Sequence, residues 1–289
     1  MPPRLFRKAL SAGLLLAVVL SSVALAKHTP KERTPQPAAA AMPFVPSEQL
    51  VYDGEFSKLL LRGIDIAELR FKAYRPAAGD GQAEAASLPL VLTTDVESKG
   101  WFHKIFGINF RYHVESQVEP NAFYALRTSK VDEQGKRVRT SEAVFDQGAK
   151  RVEYTERNPN DALQPARVVT AALSGPTQDI VSAIYFLRTL PLTPGQSFNL
   201  AVSDSGRVFQ VPAVVVAEKK PMKSVLGKVA VVRIDVDLFG PGRPIEQGKG
   251  KMSIWVSNDE RRLPLKARLS TDMGQLDITL KSVQRDPAQ

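Results

Sequence analysis

The chain contains no cysteine and only three histidines, and these shortages exclude several kinds of chemistry. Without cysteine there are no disulfides, thiolate metal sites, iron–sulfur clusters, cysteine nucleophiles or lipid-anchored cysteines. His28 lies in a proline-rich stretch, which leaves His103 and His113 as bases for a Ser-His-Asp triad. No Gly-x-Ser-x-Gly elbow is present to expose a serine beside them. We therefore predict no catalytic residue.

Recognisable metal-binding and phosphate-binding motifs are also missing. The chain has no His-Glu-x-x-His or EF-hand spacing, and Asp235 and Asp237 fall on the expected polar face of a strand. The glycine-rich stretch 240–250 lacks the Gly-Lys-Ser/Thr ending of a phosphate-binding loop and separates two alternating segments. It is therefore predicted to be a hairpin loop. We expect no metal and no cofactor.

Residues 1–26 have the composition of a secretory signal peptide. Arg4, Arg7 and Lys8 precede an apolar run, and Ala24-Leu25-Ala26 is a small-x-small cleavage pattern. The alternative is an uncleaved inner-membrane anchor, because Ala9 to Ala26 is about 18 residues without a charge. Both interpretations place the rest of the chain outside the cytoplasm, so we predict a periplasmic protein.

The net charge is moderately positive. The formal charge of +9 becomes +6 when residues 1–26, which hold three basic residues and no acid, are removed. This excess favours anionic surfaces such as lipid headgroups or acidic polysaccharide. It falls well short of the dense basic stripe of a nucleic-acid binder, so no nucleic acid is expected as a partner.

The exported part divides into a tether and one domain. Residues 27–49 alternate prolines with alanine and charged residues, which is typical of an extended linker without a core. Residues 50–289 are predicted to form a single β-rich domain.

Hydrophobic residues in the domain recur with a period of two, which predicts half-buried strands. In residues 262–270, for example, Leu263, Leu265, Ala267 and Leu269 alternate with polar or basic residues. Further candidate strands are 64–74, 88–97, 110–119, 122–131, 137–145, 151–156, 197–202, 208–218, 229–238 and 273–283. About a dozen strands with short turns predict a mainly β fold, a curved antiparallel half-barrel or barrel or else a sandwich, with one or two short helices.

Two segments interrupt this alternation. Residues 177–189 have apolar side chains at helical spacing, with Asp179 or Thr177 as the cap and Pro191 as the stop. Residues 98–106 gather aromatic side chains around Gly100 and are expected to form a short helix or turn at one end of the sheet.

Large apolar side chains concentrate near these irregular segments. The simplest explanation is core packing; the alternative is that the curved sheet and its helix enclose an apolar cavity for a ligand. The candidate cavity residues are Trp101, Phe102, Phe106, Phe110, Tyr185, Phe186 and Trp255.

Several motifs resemble the bacterial domain-of-unknown-function family 3108. They are DIVSAIYFLRTLPLTPG at 179–195, YDGEF at 52–56 with Gly63-Ile64, Glu218 with Gly227-Lys228, and IWVSNDERRLP at 254–264, while Ala67 stands where the family pattern has glycine. The resemblance implies an exported protein with a half-barrel similar to that of lipoprotein carriers of the Lol type, and no agreed activity. It also marks four structural residues, Asp179, Arg188, Gly195 and Asp259. We expect Arg188 to pair with Asp259 or Asp179, Gly195 to serve a turn, and Trp255 to fill the concave side.

These observations lead to three functional alternatives. The first is a non-catalytic envelope protein that binds a lipid, lipopeptide or lipoprotein acyl chain on an apolar concave face, with Lys266 and Arg268 meeting headgroups at a membrane surface. The second is a scaffold or interaction module in outer-membrane or envelope polysaccharide assembly. The third is an unrecognised hydrolase.

Overall fold

The computed structural model describes residues 42–45, 47–76, 88–107 and 109–285. The predicted signal peptide and most of the predicted tether lie outside the described residues. Neither helix among the described residues has the length and hydrophobicity of a membrane span.

Most of the described chain forms strands. The strands are β1 Glu48–Lys58, β2 Leu61–Tyr74, β3 Leu90–Ser98, β4 Phe110–Val118, β5 Ala125–Gln134, β6 Arg137–Asp146, β7 Arg151–Arg157, β8 Arg167–Ala172, β9 Ser197–Asp204, β10 Arg207–Ala217, β11 Met222–Ser224, β12 Gly227–Val229, β13 Val231–Val236, β14 Gly250–Ser257, β15 Pro264–Thr271 and β16 Gly274–Arg285. Two helices, α1 Gly100–Phe106 and α2 Ile180–Thr189, interrupt them.

Fourteen of these strands form one antiparallel sheet in the order β8-β7-β6-β5-β4-β3-β2-β1-β16-β15-β14-β13-β10-β9, and β11 pairs with β12 as a separate hairpin. The first described strand thus pairs with the last in the middle of the sheet. The sheet is not closed by a strand ladder. Instead, the segment after β8 meets β9, where the Gln178 N–H donates to the Ala201 carbonyl at 2.9 Å.

The period-two pattern explains why one face of this sheet is apolar and buried. In β10, Phe209, Val211, Ala213 and Val215 are buried and alternate with more exposed residues. Inward-facing residues of this kind form a large core with helix α2, and Ala125, Phe145, Val152 and Leu173 form a second, smaller cluster. The predicted class, a curved antiparallel β fold with short helices, is confirmed, whereas strands β1, β8, β11, β12 and β14 were not among the predicted strands.

Helix α2 packs inside the curved sheet. Asp179 caps it through a capping box, in which its carboxylate accepts from the Ser182 N–H at 2.9 Å and the Ser182 hydroxyl accepts from the Asp179 N–H. The helix ends before Pro191, because proline has no N–H to continue the helical bonding. Its buried residues include Val181, Tyr185 and Phe186.

The folded domain begins earlier than residue 50. Strand β1 starts at Glu48, and Phe44 is buried in the core, with its ring edge-on to Tyr185 at 5.0 Å and to Phe123 at 6.0 Å. The described residues at the end of the predicted tether therefore belong to the fold. The reason is that a phenylalanine and a carboxylate in that stretch both find partners on helix α2.

Candidate functional site

An apolar cavity of about 220 Å³ lies between helix α2 and the inner face of the sheet. Its walls come from α2, from strands β1, β2, β9, β10 and β13–β16, and from the loop between β13 and β14. The lining residues are Leu50, Tyr52, Leu69, Phe71, Ile180, Ala183, Ile184, Tyr185, Leu187, Arg188, Leu200, Val202, Asp204, Val211, Val236, Leu238, Pro244, Ile245, Met252, Ile254, Pro264, Ala267, Leu269, Leu276 and Ile278.

The wall is almost free of polar groups. Apart from Tyr52, Tyr185, Arg188 and Asp204, every lining side chain is a hydrocarbon, proline or thioether group. Alternate residues of each strand point inward. The wall is therefore apolar wherever these inner positions hold aliphatic residues. The cavity exists because a sheet of this width leaves more interior than one helix of ten residues fills.

The end of helix α2 is held by a buried ion pair. Arg188 donates to the two carboxylate oxygens of Glu48 at 2.5 and 3.2 Å, and both side chains are almost completely buried. The same guanidinium also donates to the carbonyls of Pro43 at 3.2 Å and Arg261 at 3.0 Å. Because these acceptors engage both terminal nitrogens of the guanidinium, Arg188 belongs to the scaffold of the cavity rather than to its binding chemistry.

Asp204 is the second charged residue of the wall. Burial raises the pKa of its carboxyl, and the nearby Lys130 ammonium works in the opposite direction. Asp204 also lines a neighbouring pocket of about 40 Å³. The wall therefore changes from apolar to polar at Asp204.

The neighbouring pocket is rich in hydrogen-bonding groups. Its polar residues are Tyr112, Thr128, Lys130, Ser141, Tyr154, Asp179, Ser203, Asp204 and Ser205. Desolvation by burial raises the pKa of Tyr154 to about 12, and its hydroxyl donates to Glu156 at 2.9 Å. The Lys130 ammonium lies 5.7 Å from the centre of the Tyr112 ring, within the range of a cation–π contact. The pocket thus brings a cation, two carboxyl groups and several hydroxyl groups together, although the Thr128 hydroxyl already donates to Asp179 at 2.7 Å.

Seven aromatic residues were predicted to line a cavity, and among those whose side chains the structure describes, Tyr185 is the one that lines it. Phe102 and Phe110 pack against each other with ring centres 4.8 Å apart, and Phe186 stacks on Phe123 at 6.0 Å. These three belong to the core and not to the cavity wall. The side chains of Trp101 and Phe106 lie outside the described part of the structure.

Trp255 was predicted on the concave side, and this prediction is wrong. Ile254, its neighbour in β14, faces the cavity, so Trp255 points to the opposite face. There the guanidinium of Arg268 lies 5.9 Å from the centre of the Trp255 ring. The alternation of the strand decides this, because adjacent residues must face opposite sides.

The same outer face carries the two basic residues proposed to meet headgroups. Lys266 and Arg268 both pair with Asp277, at 3.1 and 2.6 Å. Because one carboxylate already neutralises part of this charge, the face is less basic than the sequence of β15 indicates.

The motif residues have structural roles. Asp179 caps α2, and Gly195 has φ +89° in a turn, with its N–H donating to the Val215 carbonyl. Asp259 organises the β14–β15 turn: desolvation acts to raise its pKa, but hydrogen bonds from Ser257 and Arg261 keep it below its usual value. The predicted pairing of Arg188 with Asp259 or Asp179 is wrong, because its partner is Glu48.

The two longest motif segments nevertheless meet in space. Arg262 donates to the carbonyls of Arg188 at 3.0 Å and Leu190 at 2.7 Å, which attaches the β14–β15 turn to the end of α2.

Sequence reasoning missed most of the residues that form the wall. The aliphatic inward residues of β15 and β16, such as Leu269, Leu276 and Ile278, were visible as alternation but not as a ligand site. Asp204 carried no signal at all, because an acid at the end of a strand is ordinarily solvated.

A family model described as "Protein of unknown function (DUF3108)" matches residues 61–281. No curated protein matches the chain. A crystal structure of a β-barrel-like protein from Brucella abortus, a domain of unknown function called DUF1849, is similar with a TM-score of 0.54 and 9% identity, covering 84% of this chain and 100% of that chain. At that identity the likeness shows the fold alone, which is barrel-like.

Proposed function

We propose that this chain, which belongs to the DUF3108 family, is an exported binding protein that holds the acyl chain of a lipid in the apolar cavity beside helix α2. The observation that carries the proposal is the composition of the wall. A cavity of about 220 Å³ has four side chains with polar atoms among its lining residues. Of these, Arg188 is already bonded to Glu48, and the Tyr52 hydroxyl donates to the Pro264 carbonyl at 2.9 Å.

A hydrocarbon chain is the kind of ligand that this apolar cavity favours. Apolar cavities of about 150 Å³ stay dry and bind small apolar molecules, because water finds no hydrogen-bond partners there. Transfer of each methylene from water into an apolar site contributes about 0.8 kcal/mol. A chain of several methylenes therefore binds by burial alone, without a specific polar contact.

The polar end of the ligand is assigned to Asp204. The apolar wall ends there. The adjoining pocket contains the Lys130 ammonium and several hydroxyl groups. A lipid has the same order of chemistry, an apolar chain followed by a polar head. No reaction is proposed, and the periplasmic location rests on the pattern of residues 1–26.

Two measurements test the proposal. The protein is isolated without detergent from the envelope of cells that make it, and native mass spectrometry is used to look for a lipid adduct. The chain beginning at Lys27, which contains every described residue, is then titrated with a dansyl-labelled fatty acid. We expect an adduct, and saturable binding that unlabelled fatty acid reverses.

A matched pair of variants locates the binding. Ala267→Phe places a ring in the cavity and should weaken probe binding at least about tenfold. Ser270→Phe places the same ring on the same strand but on the outer face, because its neighbour Leu269 points into the cavity. This variant should leave binding unchanged. Absence of both adduct and probe binding, or equal binding by Ala267→Phe, would overturn the proposal and favour an interaction module instead.

A further inference from the structure

The tip of the β1–β2 hairpin exposes three consecutive leucines. Leu59, Leu60 and Leu61 are 87%, 98% and 47% exposed. Single exposed apolar side chains are common on protein surfaces, whereas a contiguous apolar patch marks a site of interaction. These leucines occupy the outermost point of a hairpin.

The backbone of the tip gives a second reason to assign it a function. Lys58 pairs with Leu61, so Leu59 and Leu60 form a two-residue loop, and Leu59 has φ +52°. Glycine or asparagine is the usual residue at a position with positive φ in such a loop, because a larger side chain is strained there. The chain thus carries an exposed leucine where neither burial nor backbone geometry favours one.

Charged residues flank the leucines on both sides. Lys58 precedes them and Arg62 follows them, which makes the tip an apolar point with a basic collar. Leucine side chains partition into the region between headgroups and acyl chains, while lysine and arginine keep their charges at the phosphate level. Each basic residue near an anionic bilayer adds further attraction. The arrangement, exposed leucines with a basic residue on each side, is complementary to an anionic membrane surface.

The register of the sheet places this tip at an end of the sheet that the cavity reaches. Ser57, at the end of β1, pairs with Gln275, next to the turn between β15 and β16. Two residues of the cavity wall, Leu269 and Leu276, pair with each other just inside that same turn. The leucine tip and one part of the cavity wall therefore lie at the same end of the sheet.

We propose that the segment Lys58–Arg62 docks the protein on an anionic phospholipid bilayer by inserting its three leucines between the headgroups. This inference does not depend on the proposed acyl-chain binding, because a docked protein need not carry a lipid. The two have different readouts, vesicle association and probe binding.

Co-sedimentation with vesicles tests the inference. The chain beginning at Lys27 is used, because the apolar run before it would itself bind lipid. It is mixed with vesicles of phosphatidylcholine and phosphatidylglycerol in equal parts, or of phosphatidylcholine alone. We expect stronger binding to the mixed vesicles, and weaker binding as salt is raised.

Variants at the tip separate the apolar and the electrostatic contributions. Leu60→Asn should lower partitioning at least about tenfold on mixed vesicles, because one fully exposed leucine no longer contributes to burial. Arg62→Gln should lower it about fivefold on mixed vesicles and little on neutral ones.

The matched control is Val225→Asn, which removes an exposed apolar side chain from the turn of the β11–β12 hairpin and should bind as the unaltered protein does. Circular dichroism and urea unfolding check that each variant folds. No association of the unaltered protein with mixed vesicles, or equal association of Leu60→Asn, overturns the inference. Equal binding of the unaltered protein to neutral and mixed vesicles overturns its anionic specificity.

Discussion

Glu48 and Arg188 are 140 residues apart in the chain and form an ion pair in the interior, with 2.5 Å between the closest atoms. Their side chains are 0% and 1% exposed. The pair connects the start of the first strand to the last turn of helix α2, beside the cavity. The guanidinium also lies 5.0 Å from the centre of the Phe44 ring, so the segment before β1 is held at the same point.

Breaking this pair should destabilise the fold strongly. Arg188→Met leaves the Glu48 carboxylate buried without its partner, and the expected loss in the free energy of unfolding is about 3–5 kcal/mol, measured by urea denaturation. Glu97→Gln, which breaks an exposed pair with Arg111, should cost less than about 1 kcal/mol. A loss for Arg188→Met no larger than for this control would show that the buried pair is not essential.

The stability of the protein should depend on pH through Asp204. Burial holds the pKa of this carboxyl above its ordinary value of 3.8, against the opposing effect of Lys130. A raised folded-state pKa means that stability is lost as pH rises through it, because the carboxylate then ionises at a desolvated position. Asp204→Asn should therefore be more stable than the unaltered protein at neutral pH, and the gain should vanish below the unfolded-state pKa.

Asp277→Asn serves as a comparison, because its effect on the free energy of unfolding should have the opposite sign. Desolvation acts to raise the pKa of Asp277, but bonds from Arg268 and Lys266 hold it below its ordinary value. The stability it contributes is present above the unfolded-state pKa and is lost as pH falls through the folded-state value. This variant should be less stable at neutral pH, with the difference shrinking in acid. Parallel pH profiles for the two variants would contradict both assignments.

Leu59→Gly should stabilise the domain while it weakens membrane docking. The substitution relieves a side chain at φ +52°, worth about 1 kcal/mol in the free energy of unfolding. Thermal unfolding and vesicle sedimentation should thus change in opposite directions. A loss of stability would instead show that the leucine packs within the hairpin.

Gly206 is expected to be intolerant of any side chain. It has φ +81° in the β9–β10 turn, and a Cβ there would lie 2.7 Å from that of Val169 and 2.9 Å from that of Tyr154. Gly206→Ala should cost about 2–3 kcal/mol in urea unfolding, since those atoms are fixed close to the backbone of β7 and β8. Gly195→Ala, at φ +89° with open space around it, should cost only the backbone strain of about 1 kcal/mol. Equal costs would show that β7 and β8 can move away from the turn.

The hydroxyl of Tyr185 is buried and has no hydrogen-bond partner among the described residues. Tyr185→Phe should therefore leave the ligand-free protein equally stable, or more stable by about 1 kcal/mol, because an unsatisfied polar group is removed. Urea unfolding with and without fatty acid checks this. A destabilised variant, or one that loses affinity for the fatty-acid probe, would show that the hydroxyl bonds to water or ligand.

The class of fold and most of the strands could be predicted from the amino-acid sequence. Alternation of apolar and polar residues is a local property, and a half-buried strand needs nothing more to be recognised. The helix and its cap were predictable for the same reason, since Asp179 acts on a residue three positions away. Lack of cysteine likewise excluded whole classes of site without any geometry.

Which residues meet, in contrast, depends on how the elements pack in three dimensions. Glu48 as the partner of Arg188 and Asp204 at the boundary of two cavities follow from how distant elements pack together, and the same packing sets which face of β14 turns inward and so leaves Trp255 on the outer face. Register depends on pairing across the whole sheet, where a shift of one residue reverses every side chain. The cavity is likewise a property of the curved sheet and its single inner helix, because empty space arises from how elements fit together and not from any one of them.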